Sequence, residues 1–139
     1  MDRMTPDRAK SLVGLQTGGK LSPCPSMPNC VCSSHEGDKA HYLPPIPFKG
    51  SIDTARQRLK EVLKSQKNFK IVEEKAFYLR VEVTSSFFKF VDDLEFVLNA
   101  DEKKIHFRSA SRLGYSDLGA NRKRINMVLQ LFEAETNFP

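Results

Sequence analysis

Residues 87–110 read FFKFVDDLEFVLNADEKKIHFRSA, and the alternation of their side chains decides the fold. Two apolar-rich runs, 87–98 and 104–110, flank the polar stretch Asn99-Ala100-Asp101-Glu102-Lys103, which reads as a hairpin loop. If Asn99 faces Lys104, then Phe96 faces Phe107 and Leu98 faces Ile105 on one side of the ribbon. On the other side Glu95 faces Arg108, and Val97 faces His106. Apolar pairs on one face and opposite charges on the other favour this register, because a slip of one residue would set inward against outward positions. Asp92 disturbs the pattern, since it keeps step with Phe88, Phe90, Leu94 and Phe96. An unbroken strand would carry its carboxylate into the core. We therefore expect a bulge or kink at Asp92-Asp93 with an arginine nearby, the alternative being a buried, paired aspartate.

The same alternation extends upstream. In 76–84 (AFYLRVEVT), Phe77, Leu79, Val81 and Val83 share one face, while Tyr78, Arg80, Glu82 and Thr84 share the other. Residues 69–73 (FKIVE) read as the preceding strand, turning near Glu74-Lys75. On both flanks the period changes to that of a helix. Ile52, Ala55, Leu59, Val62 and Leu63 predict a helix over 51–65, with Ser51 as N-cap, Asp53 in the first turn and Lys64 and Lys67 closing the other end. A second helix is predicted over 117–134. Its stripe is Leu118, Ile125, Val128, Leu129 and Phe132, Asn121 intrudes on that side, and Ser116 or Asp117 caps the start. Together these predict an α+β fold, with about four mainly antiparallel strands and both helices on one face of the sheet.

Residues 1–50 differ in texture, holding seven of the eight prolines. Proline blocks helix interiors and central strands. We read 1–19 as a flexible segment, 20–50 as an extended Cys/Pro-rich arm, 51–134 as the helix-strands-helix core and 135–139 as a fraying tail. All of 20–134 then forms one domain, the size expected of a 139-residue chain. So long an irregular stretch needs tying down, by covalent links or by wrapping over the sheet.

Ten Phe and no Trp predict a core built on phenylalanine. The formal net charge is +5, with 22 basic residues interspersed among 17 acidic ones, and only Arg122-Lys123-Arg124 forms a tight basic cluster. That favours a solvated surface over a nucleic-acid partner. No apolar run reaches the length of a membrane span. Residues 1–20 lack the apolar stretch of a signal peptide, so either the protein is cytoplasmic or this sequence begins after an export signal.

Cys24, Cys30 and Cys32 lie within nine residues, which points to one local device. A Cys24–Cys30 bridge would close a small loop and contribute roughly 2 kcal/mol. The alternatives are unbridged thiols, or a metal site drawing on Cys24, Cys30, Cys32, His35 and His41, although that spacing is irregular for zinc. The densest polar segment is 108–124. Arginine forks, hydroxyls and a helix N-terminus there suit a small anion, with Arg108, Ser111, Arg112, Tyr115, Ser116 and Arg122 as candidate ligand-binding residues. The competing, structural reading is a polar clasp, in which Asp92, Asp93 and Glu95 occupy the arginines while Asp117 and Asn121 hold the helix start.

Cys24-Pro25, Pro28-Asn29-Cys30, Ser33-Ser34, His41-Tyr42, Asp92-Asp93 and the run from Arg108 to Arg124 resemble the family catalogued as domain of unknown function 1499, over most of residues 20–133. Members often carry an amino-terminal membrane anchor or export signal, so the resemblance implies a periplasmic or otherwise extracytoplasmic protein, anchored to a membrane if its precursor keeps such a segment. It brings no established activity and no cofactor. Members usually have serine where this chain has Cys32. From these residues we expect a non-catalytic, envelope-associated protein binding a small anionic ligand or a protein partner. The alternative is a metal-binding protein or enzyme working through Asp92, Asp93 and the Cys/His segment.

Overall fold

The hairpin forms in the register that its side chains dictate. In the computed structural model, which describes residues 2–87 and 89–136 and side chains as far as Ala134, strand β5 (Val91–Asn99) pairs antiparallel with β6 (Lys104–Ser111). Phe96 faces Phe107, Leu98 faces Ile105, Glu95 faces Arg108 and Asn99 faces Lys104. The Asn99 side chain accepts the Glu102 amide at 3.0 Å and closes the turn. On the other edge of β5, β4 (Tyr78–Thr84) pairs in an unbroken register from Thr84–Val91 to Tyr78–Val97, and β3 (Phe69–Lys75) completes that side. The turn between β3 and β4 falls at Ala76-Phe77, two residues beyond the expected Glu74-Lys75, and leaves Phe77 exposed.

The sheet has six strands rather than about four. Two short pieces of the proline-rich arm, β1 (Cys30–Cys32) and β2 (Ile46–Pro47), both pair antiparallel with the free edge of β6. Three and two residues are too few for an alternation to be visible in sequence. Pro47 is tolerated because it sits in an edge strand, where a missing amide breaks no ladder. The arm is therefore part of the sheet, and it covers an edge that would otherwise be open to other chains.

Helix α2 (Ile52–Lys64) begins as expected, with the Ser51 hydroxyl accepting the Thr54 amide at 3.1 Å. It buries Ala55, Leu59, Val62 and Leu63 against Leu79, Val81, Leu94, Phe96 and Phe107. Helix α3 (Ala120–Thr136) adds Ile125, Val128 and Phe132 to the same core. Both helices lie on one sheet face. The core is less phenylalanine-rich than composition suggests: Phe48, Phe96, Phe107 and Phe132 are buried, whereas Phe77, Phe87 and Phe90 are exposed. Phe88 and the expected tail beyond Thr136 lie outside the described residues.

The opposite, more polar face is covered too. Residues 2–19, expected as a flexible segment, carry helix α1 (Pro6–Leu12), started by the Thr5 side chain with Pro6 in its first turn. Met4 exchanges two backbone hydrogen bonds with Gly114, at 2.6 and 2.9 Å. Met4, Ala9 and Leu12 pack with Met27 in a second small core. The sheet is thus a middle layer between two helices and an amino-terminal strap.

Candidate functional site

Strand alternation places adjacent residues on opposite faces, and in β5 it separates the two aspartates. No kink occurs at Asp92-Asp93; the ladder runs through both residues on both sides. Asp92 enters the helix-side layer, as in the alternative of a buried, paired carboxylate, and it accepts from Arg124 Nη2 of α3 at 2.8 Å. Asp93 points the other way and takes the two-pronged grip of Arg112, through Nε at 2.9 Å and Nη2 at 2.7 Å. The fold therefore holds two clasps, one on each face of the sheet.

The helix-side clasp is organised by Asn121, which is fully buried. Its amide nitrogen donates to Asp117 Oδ2 (2.7 Å), Ser111 Oγ (3.0 Å) and the Asn29 carbonyl (3.1 Å). Its oxygen accepts from Ser109 Oγ (2.7 Å) and Arg124 Nη1 (2.6 Å). The residue that interrupts the apolar stripe thus joins β6, α3 and the arm. Asp117 also caps the helix, accepting the amides of Gly119 at 2.8 Å and Asn121 at 3.0 Å. Burial raises the Asp92 pKa, although Arg124 opposes it.

On the strap side, Arg112 Nη2 also donates to Glu82 at 2.9 Å, holding that carboxyl below its usual range. Glu95, fully buried, accepts from the Tyr78 hydroxyl (2.6 Å) and the Gly14 amide of the strap (2.8 Å). Arg108 Nη1 stands 3.8 Å from the other Glu95 oxygen. Among the described residues, that oxygen and Arg108 Nε have no hydrogen-bond partner. Burial raises the Glu95 pKa and lowers that of Arg108. Burial, with the carboxylate beside it, also pushes the Tyr78 hydroxyl far above its usual value, so it remains a donor.

The six candidate ligand-binding residues do not converge. Arg108 is buried beside Glu95, and Arg112 is held by Asp93 and Glu82. Arg122 reaches back to the arm and donates to the Ala40 carbonyl at 3.2 Å. Ser111, Tyr115 and Ser116 remain together, lining an open groove of about 910 Å³ between the strap, the β4–β5 turn and the start of α3. Asp92 and Arg124 contribute to its lining, and Phe90, Leu113, Tyr115 and Leu118 give it an exposed apolar rim. Leu118 was placed in the α3 stripe by its spacing. The helix instead starts two residues later, and Leu118 sits 88% exposed with φ +54°. Arg124, Phe90 and Leu113 were not among the sequence candidates. For Arg124 the available signal was its position one turn beyond Asn121.

The cysteine segment resolves into a Cys24–Cys30 disulfide and a buried free Cys32, whose Sγ lies 3.7 Å from the Ser22 carbonyl. Cys24 and Cys30 therefore offer no thiolate to a metal, and His35 lies exposed. His41 is engaged structurally, with Nδ1 2.8 Å from Asp38 and Nε2 2.8 Å from the Met27 carbonyl. Among the described residues no three metal-ligating side chains gather. Among the described residues a Ser–His–acid alignment occurs: His106 Nδ1 is 3.1 Å from Ser33 Oγ, and Nε2 is 3.2 Å from Glu102. The Ser33 hydroxyl, however, is buried and accepts the Phe107 amide at 2.8 Å, which ties it into the β6 edge.

No helix among the described residues is long and apolar enough to cross a membrane. A family model described as "Protein of unknown function (DUF1499)" matches residues 20–132. No curated protein and no solved structure matches the chain.

Proposed function

Because the chain belongs to the DUF1499 family, a grouping that assigns no activity, its own geometry must supply the reading, and we propose that it is a non-catalytic binding protein whose ligand or partner engages the groove beside Tyr115 and Ser116. The observation that carries this reading is the apolar rim around a floor of neutralised charge. Leu113 and Leu118 stand exposed beside the paired Asp92 and Arg124. A groove of this volume, mainly apolar with a few polar groups, has the character of a binding site. A folded monomer also rarely exposes clustered large apolar side chains without use for them. The Cys24–Cys30 disulfide supports an extracytoplasmic setting, where such bridges persist.

The arginines act as supports in this account. A free small anion would have to displace Asp93 from Arg112, or Asp92 from Arg124, and leave a mostly buried carboxylate unpaired. The test uses the fluorescent apolar anion 1-anilinonaphthalene-8-sulfonate. It should bind saturably to the folded protein and be lost in Leu113→Asp with the melting curve unchanged. If binding is instead lost in Arg112→Ala, and that variant stays folded, the site belongs to the arginine cluster and the groove reading is wrong.

A further inference from the structure

We infer that the partner of this groove is the surface of an anionic lipid bilayer, met by Phe87, Lys89 and Phe90 of the β4–β5 turn and by the 113–118 loop. This rests on the binding reading above and adds the chemistry of the partner. Among the described residues six large apolar side chains are exposed, and five of them, Phe87, Phe90, Leu113, Tyr115 and Leu118, belong to these two loops. The first loop is closed on itself: Ser85 N–H donates to the Phe90 carbonyl (2.8 Å), and the Lys89 amide donates to the Ser85 carbonyl (3.2 Å). Phe87, Lys89 and Phe90 are therefore carried on one turn. Across the groove, Leu118 is held outward at 88% exposure, in a left-handed conformation that leucine adopts only at a cost.

Charge separates a bilayer from a protein partner. Lys89 lies between the two exposed phenylalanines in sequence, Arg3 lines the groove, and the exposed Lys123 side chain passes close to Gly119. The carboxylates of the same region are already engaged. Asp92 is held by Arg124, and Asp117 by the amides of Gly119 and Asn121. The two loops therefore present apolar side chains and Lys89 outward, while on the strap beside Arg3 the exposed Asp2 is held by Arg8 at 2.8 Å. Lysine is depleted at the centres of protein interfaces. At a headgroup layer its stem can lie along the apolar surface while the ammonium reaches phosphate. Cations near an anionic leaflet add attraction that falls off within a Debye length.

The test is co-sedimentation with vesicles of phosphatidylcholine alone and of phosphatidylcholine mixed with phosphatidylglycerol, alongside the dye titration. The protein should sediment with the mixed vesicles, less so as salt is raised. Affinity should fall at least about tenfold in Leu118→Asp, which withholds one leucine from the apolar phase and adds a charge that the anionic headgroups repel. Phe77→Asp, at the exposed β3–β4 turn, should sediment like the parent. Dye binding without vesicle binding overturns the lipid partner and leaves the groove reading standing. Loss of both overturns both. Equal binding to the two vesicle types overturns the role given to the cations, and concentration-dependent self-association that disappears in Leu118→Asp overturns the bilayer in favour of a second copy of this chain.

Discussion

At the scale of the residue, the buried Asn121 side chain links three parts of the structure. It satisfies groups from β6, the α3 start and the arm at once. Replacing it with leucine would leave Ser109, Arg124 and the Asn29 carbonyl short of partners, at roughly 1–3 kcal/mol for each buried group left unsatisfied. Asn121→Leu should therefore lower stability by at least about 2 kcal/mol in urea unfolding, and an unchanged midpoint would contradict the role given to it here. Glu95 makes a separate prediction. Burial lifts its folded pKa above the ordinary 4.5, so between the two values the folded state holds more protons than the unfolded. The contribution of this group is then fullest below pH 4.5 and declines as pH rises through the folded value. Stability of the parent relative to Glu95→Gln should fall over that window; a pH-independent difference would show that Glu95 titrates normally. The sequence showed that Asp92 was anomalous and offered two remedies; the favoured kink is absent, and the alternative, a buried aspartate paired with an arginine, is what forms. What a sequence does not display is the Arg124 guanidinium arriving from a helix 32 positions away to neutralise an inward carboxylate.

At the scale of the element, the hairpin was legible to the residue because two independent signals, apolar pairing and charge pairing, select the same register. Helix α2 was legible because its stripe and its cap agree. The start of α3 was not. Leucine 118 fits the helical period, but Asp117 satisfies the amides of Gly119 and Asn121, and the chain passes through positive φ at Leu118 and Gly119 before the helix begins. Leucine in that region costs about 1–2 kcal/mol that glycine does not. Leu118→Gly should therefore raise thermal stability while abolishing the apolar contact attributed to this side chain. A variant that is less stable than the parent would mean that Leu118 packs in the fold. Strands β1 and β2 escaped notice because they are too short for periodicity and interleaved with proline. Helix α1 did carry a signal, Thr5-Pro6-Asp7, which combines a cap, a first-turn proline and an early acid.

At the scale of the whole molecule, the sheet separates two charged layers that a linear reading merges into one. The segment from 108 to 124 reads in sequence as one dense polar stretch, either an anion site or a clasp, but strand alternation sends Arg108 and Arg112 to the strap side, while Ser109 and Ser111 face the helices. Each layer is neutralised internally. In the reading proposed above an outside partner meets the groove rim rather than these paired charges, and that division of labour is the claim on which the proposal depends. A double-mutant cycle in urea on Asp92→Asn and Arg124→Gln tests it most directly, because both side chains are largely shielded, at 15% and 12% exposure. The account predicts a coupling energy of about 1–3 kcal/mol. A coupling indistinguishable from zero would mean that Arg124 is not committed to Asp92 and is available to a ligand.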